Sequence, residues 1–232
     1  MPKTVIVAWA FFAGAVATAA LESEKQASVY GPEPAVTEPA ITEPAITGNV
    51  VAESAEATAR AALIDPDLRE GQLQLHVGNT ETAQAAFERA LATDPENRTA
   101  MVGLGTACIG GGRYDKAIEV LARAAQLFPD DYVVKNNLAW MFATARDPRF
   151  RDGKRAIDLA HEALLIAPGD YHVWSTLSEA YYVSGRYKNA LRAAEEAVQV
   201  GRLQKVAANV LQDYIRQVER CRLAADAMSI LE

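Results

Sequence analysis

A chain of 232 residues, half of them hydrophobic but only 7% aromatic, carries enough apolar material to fold and is not disordered throughout. Its net charge of −7 is concentrated near the amino terminus, where residues 21–66 hold eight acids against Lys25 and Arg60. The nearly neutral remainder argues against non-specific nucleic-acid binding, which draws its affinity from clustered Lys and Arg.

Val5 to Ala20 is an unbroken run of apolar or small residues that follows Lys3. It is short for a membrane-spanning helix of about 20 residues. Ala17-Thr18-Ala19 fits a small-residue cleavage site, with the cut after Ala19. Residues 1–20 are therefore read as a signal peptide, with an uncleaved signal anchor as the alternative. Either way the rest of the chain is expected outside the cytoplasm, periplasmic or extracellular, and at a membrane only if the segment stays attached. No cysteine follows the run, which excludes a lipobox. Residues 21–51 are expected to form a linker. Within it Pro-Ala-Val-Thr-Glu, Pro-Ala-Ile-Thr-Glu and Pro-Ala-Ile-Thr succeed one another at a five-residue step. Regular proline blocks helix and sheet ladders alike, and regular acid keeps such a segment extended and solvated. Residues 52–66 are Ala-rich and predict a lead-in helix stopped by Asp65-Pro66.

From there the chain repeats. Gly71, Gly78, Ala83, Ala90 and Pro95 recur 34 residues later as Gly105, Gly112, Ala117, Ala124 and Pro129. A period of this length predicts stacked helical hairpins, none of which shields its apolar face alone. The units are placed at about 67–95, 98–129, 132–168 and 171–202, in an array over 67–204 closed by a capping helix at 205–232. In the first unit Leu68, Leu73, Leu75 and Val77 are expected to be the apolar positions, Gly78-Asn79 the turn and Thr80 the cap of the second helix. The second unit carries Met101, Leu104 and Cys108, a Gly110-Gly111-Gly112 turn, then Tyr114, Ile118 and Leu121. The third is five residues longer, with turn signals between Ala145 and Gly153 that place the insertion there. Val206, Val210, Leu211, Tyr214, Ile215, Val218 and Cys221 fall on one face of the closing helix. Cys108 and Cys221 then lie two units apart, too far for a disulfide, and no CxxC or zinc spacing surrounds them.

The fourth unit reads Trp174-x2-Leu177-Ser178-x2-Tyr181. It resembles the tetratricopeptide repeat family, whose pattern is Trp-x2-Leu-Gly-x2-Tyr followed by Ala, Phe, Ala and Pro, with serine here at the small position. The resemblance implies an all-α, right-handed superhelical array of about four hairpins. Gly71, Gly105, Ala139 and Ser178 take the small position and are expected to meet Ala83, Ala117, Ala156 and Ala190. The family's concave positions fall on Leu68, Gln72 and Leu75, on Thr99, Val102, Thr106 and Ile109, on Val133, Asn136, Trp140 and Ala143, and on His172, Ser175, Glu179 and Tyr182. From the second unit onward, Val102, Thr106, Ile109, Asn136, Trp140, His172, Ser175, Glu179 and Tyr182 are the candidate peptide-binding residues. Trp140 and Tyr182 are the expected anchors, since rigid aromatics dominate binding energy, although Trp140 also suits packing against the next unit. The family's chaperone-tail receptors clamp a carboxylate with Lys, Asn and Arg, whereas the matching positions here hold Leu68, Gln72, Val102 and Thr106.

No catalytic constellation is legible. His76, His161 and His172 share no helical spacing, and the Gly110–Gly112 run has neither a preceding strand nor a following Lys-Ser/Thr. No cofactor or metal is expected. The expectation is a non-catalytic adaptor whose concave face takes a peptide or helix of a protein partner, with a self-associating scaffold as the alternative. Arg146, Arg149, Arg151, Lys154 and Arg155 form a local basic excess in the inserted loop, read as arginines pairing with Asp147 and Asp152.

Overall fold

The computed structural model describes residues 65–231, so the leader, the Pro/Glu linker and nearly all of the lead-in stretch lie outside the described residues. Every extended element described is a helix. Four antiparallel hairpins succeed one another: α1 (Pro66–His76) with α2 (Thr80–Thr93), α3 (Arg98–Gly110) with α4 (Tyr114–Leu127), α5 (Tyr132–Thr144) with α6 (Gly153–Ile166), and α7 (Tyr171–Val183) with α8 (Tyr187–Leu203). A single long helix, α9 (Ala208–Leu231), closes the array against α8. Helices paired in sequence order and stacked unit on unit match the all-α array expected from the 34-residue period.

Two kinds of helix start alternate for a local reason. Each hairpin's first helix begins at an Asp or Asn whose side chain accepts from a backbone amide, namely Asp65, Asn97, Asp131 and Asp170. Asp65-Pro66, read from sequence as the stop of a lead-in helix, thus caps and opens α1, with proline at the one position where its missing amide costs nothing. Second helices α2, α4 and α8 have no side-chain cap, so the cap expected from Thr80 is not made. Their tight turns satisfy the chain end instead. Gly78 at φ 83° lets its own amide and that of Asn79 reach back to the carbonyls of Leu75 and Gln74. Only α6, which follows the longer loop, is a second helix with a side-chain cap, from Asp152 to the Arg155 amide.

One continuous core runs from Leu75 to Ala193, built from the small and apolar positions of successive units. Leu73 and Val77 are not part of it, since both lie more than half exposed. At the first two small positions the nearest side chain is a bulky one. A Cβ on Gly71 would strike the Phe87 ring at 2.7 Å, and one on Gly105 would strike Leu121 at 2.5 Å. The bulky residue one turn beyond Ala83 or Ala117 leans into the space that glycine vacates. At Ser178 the fit changes, because its hydroxyl donates to the Ala190 carbonyl at 2.9 Å. Cys108 and Cys221 are both free and buried.

The insertion in the third unit is an ordered loop. A short 3-10 turn spans Pro148–Phe150, the Phe150 ring lies tilted against Tyr114 at 5.3 Å, and the Arg146 amide donates to the Tyr114 hydroxyl at 2.9 Å. Charged pairs lie within units, as Arg89 with Asp67 and Lys135 with Glu162, and between them, as Lys116 with Glu88, and such exposed pairs contribute little each.

Candidate functional site

The candidate residues sit on the first helices, α3, α5 and α7, whose i, i+4 spacing places each set in one row. The structure divides that row in two. On α3 and α5, Val102 and Trp140 are half-buried, while Thr106 and Ile109 are buried and Asn136 is completely so. Thr106 donates to the Val102 carbonyl at 2.9 Å and accepts from Asn137 of the next unit at 3.2 Å. Its hydroxyl is therefore committed to tying the two units together. Asn136 is different. Neither its amide oxygen nor its amide nitrogen has a hydrogen-bond partner among the described residues. Leaving a buried amide unpaired costs about 1–3 kcal/mol per group, which native proteins accept rarely and for a reason.

On α7 the same row is engaged by α9. Ser175 donates to the Gln217 side-chain oxygen at 2.8 Å, and the Gln217 nitrogen donates to the Ser175 carbonyl at 3.0 Å and to Glu179 at 2.8 Å. Arg220 pairs with Glu179 and lies over the Tyr182 ring at 4.4 Å. His172 stacks on Tyr171 at 4.0 Å, and both rings meet Tyr214 edge-on. All four candidates on α7 are thus contacted by the closing helix, and Tyr182, an expected anchor, has a cation over its face. Gln217 and Arg220 were not among the residues singled out from sequence. Within an amphipathic helix they read as solvent-facing, and only their position against α7 shows otherwise.

Electrostatics reinforce the start of α7. Burial pushes the Asp170 carboxyl up, but His172, bonded to it at 3.0 Å, together with a backbone amide and the Tyr132 hydroxyl, outweighs this and holds it below its ordinary value of 3.8. A carboxyl depressed in the folded state contributes stability that is complete above its unfolded pKa and lost as pH falls through the folded one. The α7–α9 contact should therefore loosen in acid, below the unfolded value of 3.8. Asp170→Asn keeps a capping side chain and should flatten that acid limb, as urea midpoints measured from roughly pH 2 to 7 will show. Burial also pushes the Tyr214 phenol far up, so it stays neutral throughout that range.

Among the described residues no three His, Cys, Asp or Glu side chains gather into a group suited to a metal ion, and no helix is long and apolar enough to cross a membrane. An open groove of about 620 Å³ runs between α8 and α9, edged by Glu195, Arg202, Glu219 and Arg222 around Val198 and Ile215. Its ionic rim and shallow form offer no enclosed chemistry.

A family model described as tetratricopeptide repeat matches residues 68–132, from α1 to the first residue of α5. Superkiller protein 3 of Schizosaccharomyces pombe is 27% identical over 164 residues, which is 68% of this chain but 11% of that protein, so the chain spans about a tenth of that relative's length. Among solved structures, a crystal structure of MamA is similar at 16% identity and a TM-score of 0.47, covering 68% of this chain and 96% of that one. A MamA RS-1 double mutant has 15% identity and a TM-score of 0.48, covering 71% and 99%. A MamA MSR-1 structure has 22% identity and a TM-score of 0.44, covering 67% and 91%.

Proposed function

The chain is a tetratricopeptide repeat protein, and from that premise we propose that it is a non-catalytic adaptor that grips an extended peptide or a helix of a protein partner across α3 and α5. The observation that carries this reading is Asn136. It is a fully buried amide on the concave row whose two polar atoms find no partner among the described residues, one turn from the half-buried Trp140. Binding that turns the side chain outward would pair such an amide with the donor and acceptor of a peptide main chain, and the half-buried Trp140 ring offers area for an apolar side chain. Val102 extends the apolar strip onto the preceding unit. The α7 residues leave the grip to α3 and α5, because α9 already bonds the polar groups of Ser175 and Glu179 and covers the rings of His172 and Tyr182 with Tyr214 and Arg220. The leader and the Pro/Glu linker fit an exported protein, with the array tethered outside the cytoplasm.

Selecting peptides from a random display library on the full chain tests this. Trp140→Ala should weaken the selected peptides by about 2 kcal/mol, roughly thirtyfold, and Asn136→Ala by about tenfold. An exposed change on a second helix, Arg123→Ala, should leave them unaffected. Peptides that bind the Trp140→Ala chain as tightly as the parent would remove the concave-face reading. Sedimentation of the full chain over a range of concentrations addresses the alternative of a self-associating scaffold, which a persistent monomer excludes.

A further inference from the structure

The edge of the array where the hairpins turn carries a charge opposite to that of the chain as a whole. Residues 113–115, 145–155 and 184–186 hold seven cations, Arg113, Arg146, Arg149, Arg151, Lys154, Arg155 and Arg186, against three carboxylates, Asp115, Asp147 and Asp152. These three segments are contiguous in space. Tyr114, next to Arg113, receives the Arg146 amide and lies against the Phe150 ring. At the other end of the loop Gly153 lies so close to Ser184 that a Cβ on it would sit 2.2 Å from that hydroxyl, which brings Lys154 beside the turn bearing Arg186.

Internal pairing neutralises only part of this ridge. Arg149 is bonded to Asp147, Asp152 spends its side chain capping α6, and Arg155 lies over the Phe142 ring at 4.4 Å. The exposed Arg146, Arg151 and Lys154 make no ion pair among the described residues, although Arg151 lies within electrostatic reach of Asp147. The loop that carries them is pinned at both ends, by the Tyr114 hydroxyl and by the Asp152 amide donating to the Phe142 carbonyl. It is therefore a preformed platform, and docking on it does not first have to order it.

We infer that this ridge is a docking surface for the chain's own acidic linker, the stretch from Gly31 to Gly48 that bears Glu33, Glu38 and Glu43. The first argument is complementarity. Residues 21–66 hold eight of the acids against two cations, whereas the ridge holds seven cations against three carboxylates. A second argument is form. A proline-spaced segment loses little chain entropy on binding, and its evenly spaced carboxylates suit guanidinium groups that take them pairwise. Reach is the third argument. Glu43 lies 22 residues before Asp65, and that length of chain spans up to about 75 Å when extended. Helices of about 20 Å packed about 8–10 Å apart place the loop within a few tens of ångströms of the start of α1. Individually weak ion pairs then act together, because tethering holds the segment at roughly millimolar effective concentration.

Carbodiimide coupling of the full chain at low ionic strength, read by mass spectrometry, tests the assignment, because the reagent joins a carboxylate only to a lysine it touches. Lys154 should couple to Glu33, Glu38 or Glu43. The yield should fall by about fivefold or more in the Arg146→Gln/Arg151→Gln chain, which keeps every reacting group, and likewise in about 0.5 M salt. An unchanged thermal transition for that variant would show that it remains folded. Absence of the Lys154 link, or an unchanged yield in the variant, overturns the proposal. Links between differently isotope-labelled copies would refute the intramolecular arrangement. Loss of RNA or phosphatidylserine-vesicle binding in the same variant, with no Lys154 link in the parent, would assign the ridge to a polyanion and overturn the proposal as well.

Discussion

Phe87→Ala should destabilise the array by about 3–5 kcal/mol and lower its melting temperature by roughly 10 °C. Phe87 is completely buried, and its ring is wedged between two helices of different units. A Cβ on Gly71 of α1 would meet it at 2.7 Å, and one on Gly103 of α3 at 2.3 Å. Removing the ring therefore opens a cavity facing two backbones, which cannot close without moving whole helices. Because each unit touches only its neighbours, the loss should be local. Amides of α1 and α2 should lose hydrogen-exchange protection while those of α7 to α9 keep theirs. Gly103→Ala should also destabilise, by overpacking against the same ring, and the Phe87→Ala/Gly103→Ala pair should recover part of the sum. Additive effects in that cycle, or a uniform loss of protection across all units, would contradict the wedge.

Gln217→Ala should cost about 2–4 kcal/mol and release α9 from α7. One nearly buried side chain makes three hydrogen bonds at this junction, one of them to the Glu179 carboxylate, and its loss leaves Ser175 and Glu179 facing a gap. Hydrogen bonds to charged groups are the costlier ones to break, which sets the upper end of the range. Arg220 would keep Glu179 paired, so α9 should loosen rather than leave. The measurable signs are faster exchange in the first half of α9 and easier proteolysis after Arg216 and Arg220. Glutamate at the same position should be worse than alanine, since it sets a second carboxylate against Glu179. An Ala variant indistinguishable from the parent would mean that Val210, Tyr214 and Cys221 hold the helix by apolar contact alone.

The two experiments separate what was legible from the residues and what was not. The hairpins, their order and the capping helix followed from spacing, because small residues recurring at 34 mark where backbones approach in every unit. Gly103 was missed because it recurs in no other unit. Its role exists only through the Phe87 ring that arrives from the preceding hairpin. Leu73 and Val77 were misjudged for the converse reason, since apolar identity alone does not say which face of α1 has a neighbour. At the candidate site, the sequence placed Asn136 and Trp140 on one row with Tyr182, but gave no sign that the α7 half of that row is held by α9.

What the amino-acid sequence settled by itself is local and periodic: where the hairpin turns fall, and that hairpins must stack to bury their faces. Those outcomes depend on caps, on residues suited to tight turns and on the 3.6-residue period, all of which act within a few residues. Tertiary structure alone decided which polar groups are shared between helices some forty positions apart, such as Ser175 with Gln217, and which buried amide, Asn136, is left without a partner among the described residues. Such pairings depend on the offset of one helix against another. That offset is the summed result of every side chain packed between them, and no short stretch of sequence encodes it.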